Sequence, residues 1–295
     1  MKRLFITFAL IAFAAAPALA GPPVNETHAA TPDASVNIDN IAGQVTIVGW
    51  DKNSVQITGN LGSDDQELQV SGDNDDIDIH VEYPEHRNIL EGAMLVIKLP
   101  KGAAVEASTV SADIDARQVV GSQRLKSVSG EITLESKSPE ISAESVSGDV
   151  KVTGSAPDAH VEASGVSSDV HVASVNGELR GKSVSGNVYV ENSQLKRAEM
   201  GSTSGNISYS AAFENGGVYE FHSTSGDIRM TLPGKPDAEF DIETFSGDID
   251  NAFGPKAERT SRYAPGSELH FSSGNGSADV RAETLSGDVE LRIGG

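Results

Sequence analysis

Side chains able to meet a cation recur at nearly even spacing along this chain. Asp113, Glu131, Asp149, Asp169, Asn187, Asn206, Asp227, Asp248 and Asp288 each stand one residue before a Val or Ile. Stacked in a β-structure, they would form a column of like charges about 5 Å apart. Such a pair costs somewhat under ~1 kcal/mol in water, and a divalent cation would relieve it. Oxygen-rich sites suit Ca²⁺, so Asp149, Asp169, Asp227, Asp248 and Asp288 are the metal candidates. Against them, Asn187 and Asn206 carry no charge, and one carboxylate per coil makes no Ca²⁺ cage. The GGxGxDxUx calcium repeat is absent. An Asx residue that shapes a turn through nearby amides is the favoured reading. The acidic run Ser71 to Asp76 resembles a calcium loop in composition, but lacks the distal Glu of an EF-hand and reads as a solvated hairpin turn.

The remaining chemistry is sparse. The seven histidines, His28, His80, His86, His160, His171, His222 and His270, show no HExxH spacing, and the chain has no cysteine for a zinc finger or a disulfide. His171 and His222 fall on outward parity. Serine is abundant, yet no G-x-S-x-G elbow occurs, and many equivalent Ser-Gly pairs describe a turn better than a nucleophile. Paired carboxylates for glycoside hydrolysis cannot be singled out among so many acids. No catalytic residue and no cofactor site is assigned.

These residues ride on a repeated phrase of hydroxyl, apolar residue, Ser, Gly, acid or Asn, then Val or Ile. Ser127-Val128-Ser129-Gly130-Glu131-Ile132 and Ser223-Thr224-Ser225-Gly226-Asp227-Ile228 are two copies. The glycines are Gly130, Gly148, Gly186, Gly205, Gly226, Gly247 and Gly287; degenerate copies carry Ala112 and Ser168 in that place. Alternating residues flank each copy, as in Ile141/Ala143/Ser145 before and Val150/Val152 after, which is the strand period. The pattern predicts an all-β protein, a single-stranded parallel β-helix or β-solenoid of roughly 18–21 residues per coil, right-handed by the general chirality of parallel crossovers. The glycines are expected at positive φ in tight turns. The hydroxyls fall on inward parity and should stack in a column. Ten coils from Ala112 to Gly287 would make a rod on the order of 50 Å, with a slim core of aliphatic and small residues. The 40-residue gap before Gly287 reads as two coils with one corner unrecognised, and Val175-Asn176-Gly177 as the opposite corner of its coil.

The N-terminus reads as a secretory signal over residues 1–20: Lys2 and Arg3, the apolar run Leu4 to Ala16, and cleavage after Ala20 in Ala18-Leu19-Ala20. Residues 21–34 read as a disordered leader. Residues 35–295 form one solenoid domain, with hairpin-linked strands capping it over 35–100 and repeats over 101–295. Among the first strands, Val36-Asn37-Ile38 and Val45-Thr46-Ile47 flank the turn Asn40 to Gly43. No apolar run spans a membrane once the signal is removed. The formal net charge of −21 becomes −23 without Lys2 and Arg3, which excludes nucleic acid as a partner and argues against anionic lipid. The compartment expected is periplasmic or secreted.

The phrase [ST]-[VTFL]-S-G-[DNE]-[VI], the early run Ile41 to Asp51 and Leu99-Pro100-Lys101-Gly102 together resemble a bacterial β-strand-repeat family called adhesin-like, of unknown function. The resemblance covers roughly residues 35 to 293 and implies an exported or membrane-linked β-solenoid without established catalytic residues. The expected function is a non-enzymatic scaffold or binding module of the envelope, with an envelope protein or glycan as partner. The alternative is a lyase or hydrolase acting on polysaccharide, which the parallel β-helix also supports.

Overall fold

The computed structural model describes residues 21–84, 91–260 and 265–294. The signal segment 1–20 and His86 lie outside the described residues. Within them every regular element is a strand, 25 in all.

The repeats build two parallel ladders that meet at a corner. Residues before the corner Gly lie in one ladder, as in Gln123–Ser127, Glu140–Ser145 and Ala159–Gly165. Residues after it lie in the other, as in Ile132–Glu135, Val150–Thr153 and Val170–Ala173. The register is in phase, with Ser127 beside Ser145 and Val150 beside both Ile132 and Val170. Parity then does what the alternation requires. Ile141, Ala143, Val150 and Val152 are buried between the ladders, while Glu144 and Lys151 face out. A coil cannot bury its own apolar face, so each depends on its neighbours about 4.8 Å away. One hydrophobic cluster runs from Val24 to Leu291. Aliphatics dominate it, but the C-terminal third adds a chain of rings the low aromatic content did not announce. Tyr209 lies 5.6 Å from Phe221, Phe213 4.5 Å from Tyr219, and Phe240 4.7 Å from Phe271.

Chain order and stacking order part company at both ends. The strand Ser35–Trp50 passes through a corner of its own and pairs in parallel with Ala104–Arg117 on one side. On its other side it pairs in parallel with Asp76–Glu82 and Ala93–Pro100. Residues 36 to 47 are therefore one coil, not the expected hairpin. The hairpin across Ser71 to Asp76 does form, with Leu68 opposite Val81. Antiparallel strands then close this end: Ser54–Asn60 on Ala93–Pro100, and Pro23–Ala29 on Ser54–Asn60. The expected disordered leader is thus in part a strand. An open edge beside Ser54–Asn60 rewards backbone pairing even for a polar segment, and Val24 adds a buried side chain.

At the C-terminal end, Val218–Ser223 and Ile228–Leu232 pair not with the next coil in sequence but with the last one, Ala278–Ser286 and Val289–Ile293. The coil Ala238–Ser246 and Ile249–Asn251 stacks outside that. The described residues between 251 and 278 form no further coil. Ser267–Ser273 returns antiparallel along Ala238–Ser246, and Glu258–Arg259 pairs with it. From Ala112 onward the corner column therefore runs Ala112, Gly130, Gly148, Ser168, Gly186, Gly205, Gly226, Gly287, Gly247, nine positions among the described residues rather than the expected ten, and Gly43 stands in register with Ala112 on its other side.

Candidate functional site: the corner edge

The corner is held by three kinds of bond. The Ser or Thr three residues before the glycine accepts from the glycine amide, as in Gly148 N to Ser145 Oγ at 3.0 Å and Gly226 N to Ser223 Oγ at 2.8 Å. The same hydroxyl donates to the corner carbonyl one coil below, as Ser202 Oγ does to Gly186 O at 3.2 Å. The expected hydroxyl column is present, and in the first repeat Thr109 Oγ1 also donates to Ser127 Oγ at 3.0 Å.

The glycines serve a different purpose from the one expected. None of the seven lies at positive φ; that conformation occurs elsewhere, for example at Gly43 and Gly177. What they provide is close approach. A Cβ on Gly226 would lie 1.9 Å from Gly205 O, and one on Gly148 2.0 Å from Gly130 O. The corner with Ser168 shows the compensation. Where the other coils carry Ser or Thr, this one carries Gly165, and a Cβ there would lie 2.1 Å from Ser168 Oγ. The hydroxyl has moved from one side of the turn to the other.

The Asx residues bridge coils rather than closing turns within their own. Asp149 Oδ1 accepts from Asp169 N at 3.0 Å, and Asp169 Oδ1 from Asn187 N at 2.7 Å. Asn187 and Asn206 do the same for Asn206 N and Asp227 N, both at 2.9 Å. Asp227 and Asp288 continue the row, with Asp248 last, its amide donating to Asp288 Oδ1 at 2.8 Å. Asn and Asp interchange because only the Oδ1 acceptor is needed. Of the cation candidates, Asp149, Asp169, Asp227 and Asp288 each have Oδ1 directed at an amide of the neighbouring coil rather than at one in their own turn, which differs from the expected Asx turn. In the acidic hairpin, Asp73 Oδ1 accepts from Asp75 N and Asp76 N.

Between the buried hydroxyl and the exposed Ser sits a residue the parity argument passed over. Val110, Val128, Val146, Val166, Val184, Leu285 and Phe245 are 41–61% exposed, and they make up seven of the ten large hydrophobics exposed among the described residues. Thr203 and Thr224 fill the gap in the column. The backbone ladder passes through these positions, with Ser147 N to Val128 O at 2.9 Å and Ser167 N to Val146 O at 2.8 Å, so the side chains stand in register. The signal was present in the phrase, whose second position is always Val, Thr, Leu or Phe.

At the C-terminal end the edge opens into a cleft of about 380 Å³ lined by His222, Glu243, Phe245, Thr260, Glu283 and Leu285. His222 Nδ1 lies 3.5 Å from Glu283. The return strand adds His270, whose Nδ1 is 2.8 Å from Asp241 Oδ1, with Arg281 3.6 Å from the same carboxylate. Asp241, Glu243 and His270 offer ligand atoms within 4.8 Å of one another, a juxtaposition that only the antiparallel strand creates. His171, also outward as expected, stacks on Tyr189 at 4.5 Å.

A family model, Toastrack DUF4097, matches residues 30–292. The chain belongs to the Toastrack DUF4097 family. The family and the solenoid agree with the adhesin-like resemblance. Similar solved structures include a "putative adhesin" from Bacteroides fragilis, 11% identical over 92% of this chain and 98% of that one, with a TM-score of 0.47. A "putative cell adhesion protein" from Clostridium sporogenes is 11% identical over 92% and 100%, with a TM-score of 0.21. A "putative adhesin" from Parabacteroides distasonis is 10% identical over 92% and 98%, with a TM-score of 0.33. No curated protein matches the chain. No helix among the described residues is long and apolar enough to cross a membrane.

Protonation is shifted where the Toastrack stack needs it. Arg229, then Arg292, hold Glu290 down to about 2, at 2.6 and 2.9 Å. The hydrogen bond from Lys182 lowers Glu199. Burial raises Tyr209, Tyr219 and Tyr83. The Tyr83 hydroxyl donates to Asn40 Oδ1 at 2.7 Å. All of these groups join strands or coils.

Proposed function

We propose that this protein is an exported, non-catalytic binding module of the bacterial envelope, periplasmic or secreted, with its signal removed after Ala20. Its contact surface is the corner edge. The observation that carries this reading is the gathering of exposed apolar side chains into one column. Scattered exposed aliphatics are ordinary, but an aligned row along a rigid edge marks an interaction site. Valine side chains offer a sugar ring little to stack on, which favours an envelope protein over a glycan as partner.

The test places a photo-crosslinking residue at Ser147 on the edge and, as a control, at Thr133 on the trailing ladder. A discrete product from Ser147 that disappears in Val146→Thr/Val166→Thr supports the edge. Equal products from both positions, or a chain that stays in the cytoplasm with residues 1–20 attached, would overturn the reading.

For the alternative activity on polysaccharide, the candidate site is the cleft holding His222, Glu243 and Glu283. Release of reducing ends from envelope polysaccharide that Glu243→Gln abolishes would establish it in place of the binding module.

A further inference from the structure

The corner edge carries two rows, and the second constrains what can lie on the first. Three residues beyond each apolar position stands the acid or amide of the phrase. Beside Val110, Val128, Val146 and Val166 this is Asp113, Glu131, Asp149 and Asp169. Four consecutive coils thus present an aliphatic side chain, an exposed Ser and an anion in the same order. The opposite flank is mixed and pairs with itself: Lys126 lies 3.9 Å from Glu144, while Ser108 and Ser164 are neutral. The edge is therefore apolar along its crest and anionic along one side only.

Three of these four anions are also held in place by amides. Glu131 N donates to Asp113 Oδ1 at 2.9 Å, Asp169 N to Asp149 Oδ1 at 3.0 Å and Asn187 N to Asp169 Oδ1 at 2.7 Å. A carboxylate fixed by an amide gives up little rotamer freedom when a partner arrives. Spaced by the coil repeat of about 4.8 Å, these acids repel one another, and a cation laid across them removes that repulsion.

We infer that the occupant of the edge between Val110 and Val166 is a cationic amphipathic segment of another protein, with an apolar stripe bordered on one side by Lys or Arg. This rests on the corner edge being the contact surface. A second copy fits poorly, because each chain carries 43 acidic against 22 basic residues. An anionic glycan would meet the acid row with like charge.

The column itself supplies variants that preserve the fold. Asp149→Asn/Asp169→Asn keeps the inter-coil acceptor, as Asn187 and Asn206 already do in the same row. Val146→Thr/Val166→Thr copies Thr203 and Thr224. The probes are a synthetic amphipathic peptide with a Leu stripe bordered by Lys, and its counterpart with Glu for Lys, titrated into the mature protein at low and high salt. The Lys peptide is expected to bind and the Glu peptide not. The Asn pair should weaken binding about tenfold at low salt and flatten its salt dependence. The Thr pair should weaken it at both salts. Asp64→Asn/Asp75→Asn, which removes the same charge elsewhere, should change it little. Equal loss in that control, or no binding of the Lys peptide, overturns the inference. Equal binding of both peptides, lost only in the Thr pair, overturns the charge preference and leaves the corner edge standing.

Discussion

Replacing Gly226 with alanine should cost more than any ordinary surface change, and the reason is distance. The new Cβ would lie 1.9 Å from Gly205 O, 2.5 Å from its carbonyl carbon and 3.1 Å from Asn206 N. Ordinary contact begins near 3.4 Å, so the corners must part by 3.4 − 1.9 = 1.5 Å. Two bonds between coils resist that movement, Ser225 N to Thr203 O and Asp227 N to Asn206 Oδ1, both at 2.9 Å. Stretched by the full amount they would fail, at about 1 kcal/mol each. Overpacking strain adds about 1–3 kcal/mol. The total of about 3–5 kcal/mol corresponds to a melting temperature lower by on the order of 10 °C in a chain of this size. Thermal unfolding followed by far-ultraviolet circular dichroism measures it. Gly234→Ala is the control, since a Cβ there meets nothing within 4 Å. Gly226→Asn separates the two explanations for the glycine. Asparagine tolerates positive φ but still carries a Cβ, so close approach predicts that it fares no better than alanine. Equal melting of Gly226→Ala and Gly234→Ala would refute the account of the corner.

The remaining predictions concern the neighbours of that corner and the ends of the stack. Gly165→Ser alone should destabilise by about 1–3 kcal/mol, because its Cβ meets Ser168 Oγ at 2.1 Å, whereas Gly165→Ser/Ser168→Gly restores the common phrase and should recover most of the loss in a double-mutant cycle. Additive effects would sink the compensation. Since the chain lacks cysteine, Arg229→Cys/Glu290→Cys should cross-link under oxidation and Arg229→Cys/Asp250→Cys should not; the reverse result would mean that coils stack in chain order. Glu290 is depressed from 4.5 to about 2, so its stabilising effect is complete above about pH 4.5 and is lost as pH falls through about 2. Glu290→Gln should therefore lower stability by about 1–2 kcal/mol at pH 7, allowing for solvent around the arginines, and converge with wild type near pH 2. A constant difference across that range would contradict the arginine clamp.

Most of the architecture was legible because a solenoid is written locally. Alternating residues and a recurring phrase state the strands, the corner and the inward hydroxyls, and each coil meets neighbours built from the same phrase. Local rules misled where two backbones meet. Gly226 suggested a turn conformation, since φ is a property of one residue; its real constraint is Gly205 O, twenty-one positions away. Asp149 suggested an Asx turn within its coil, while its acceptor serves Asp169 in the next. Residues 23–29 looked disordered because their own composition is polar, yet an open edge at Ser54–Asn60 orders them.

The sequence by itself determined the class of fold, the coil length and which residues face inward, because parity and period belong to a single strand. Only the tertiary structure decided the order of the coils. The phrases around Gly226, Gly247 and Gly287 are nearly equivalent, and the steps Gly205 to Gly226 and Gly226 to Gly247 are both 21 residues, so local pattern permits stacking in chain order. The chain instead places Val280, Ala282 and Val289 between the other two coils and sends Phe240 outward to meet Phe271 on the return strand. That choice compares whole interfaces, ring against ring and edge against cap. The same choice brings His270 beside Asp241 and sets Leu285 before Phe245 at the end of the exposed edge.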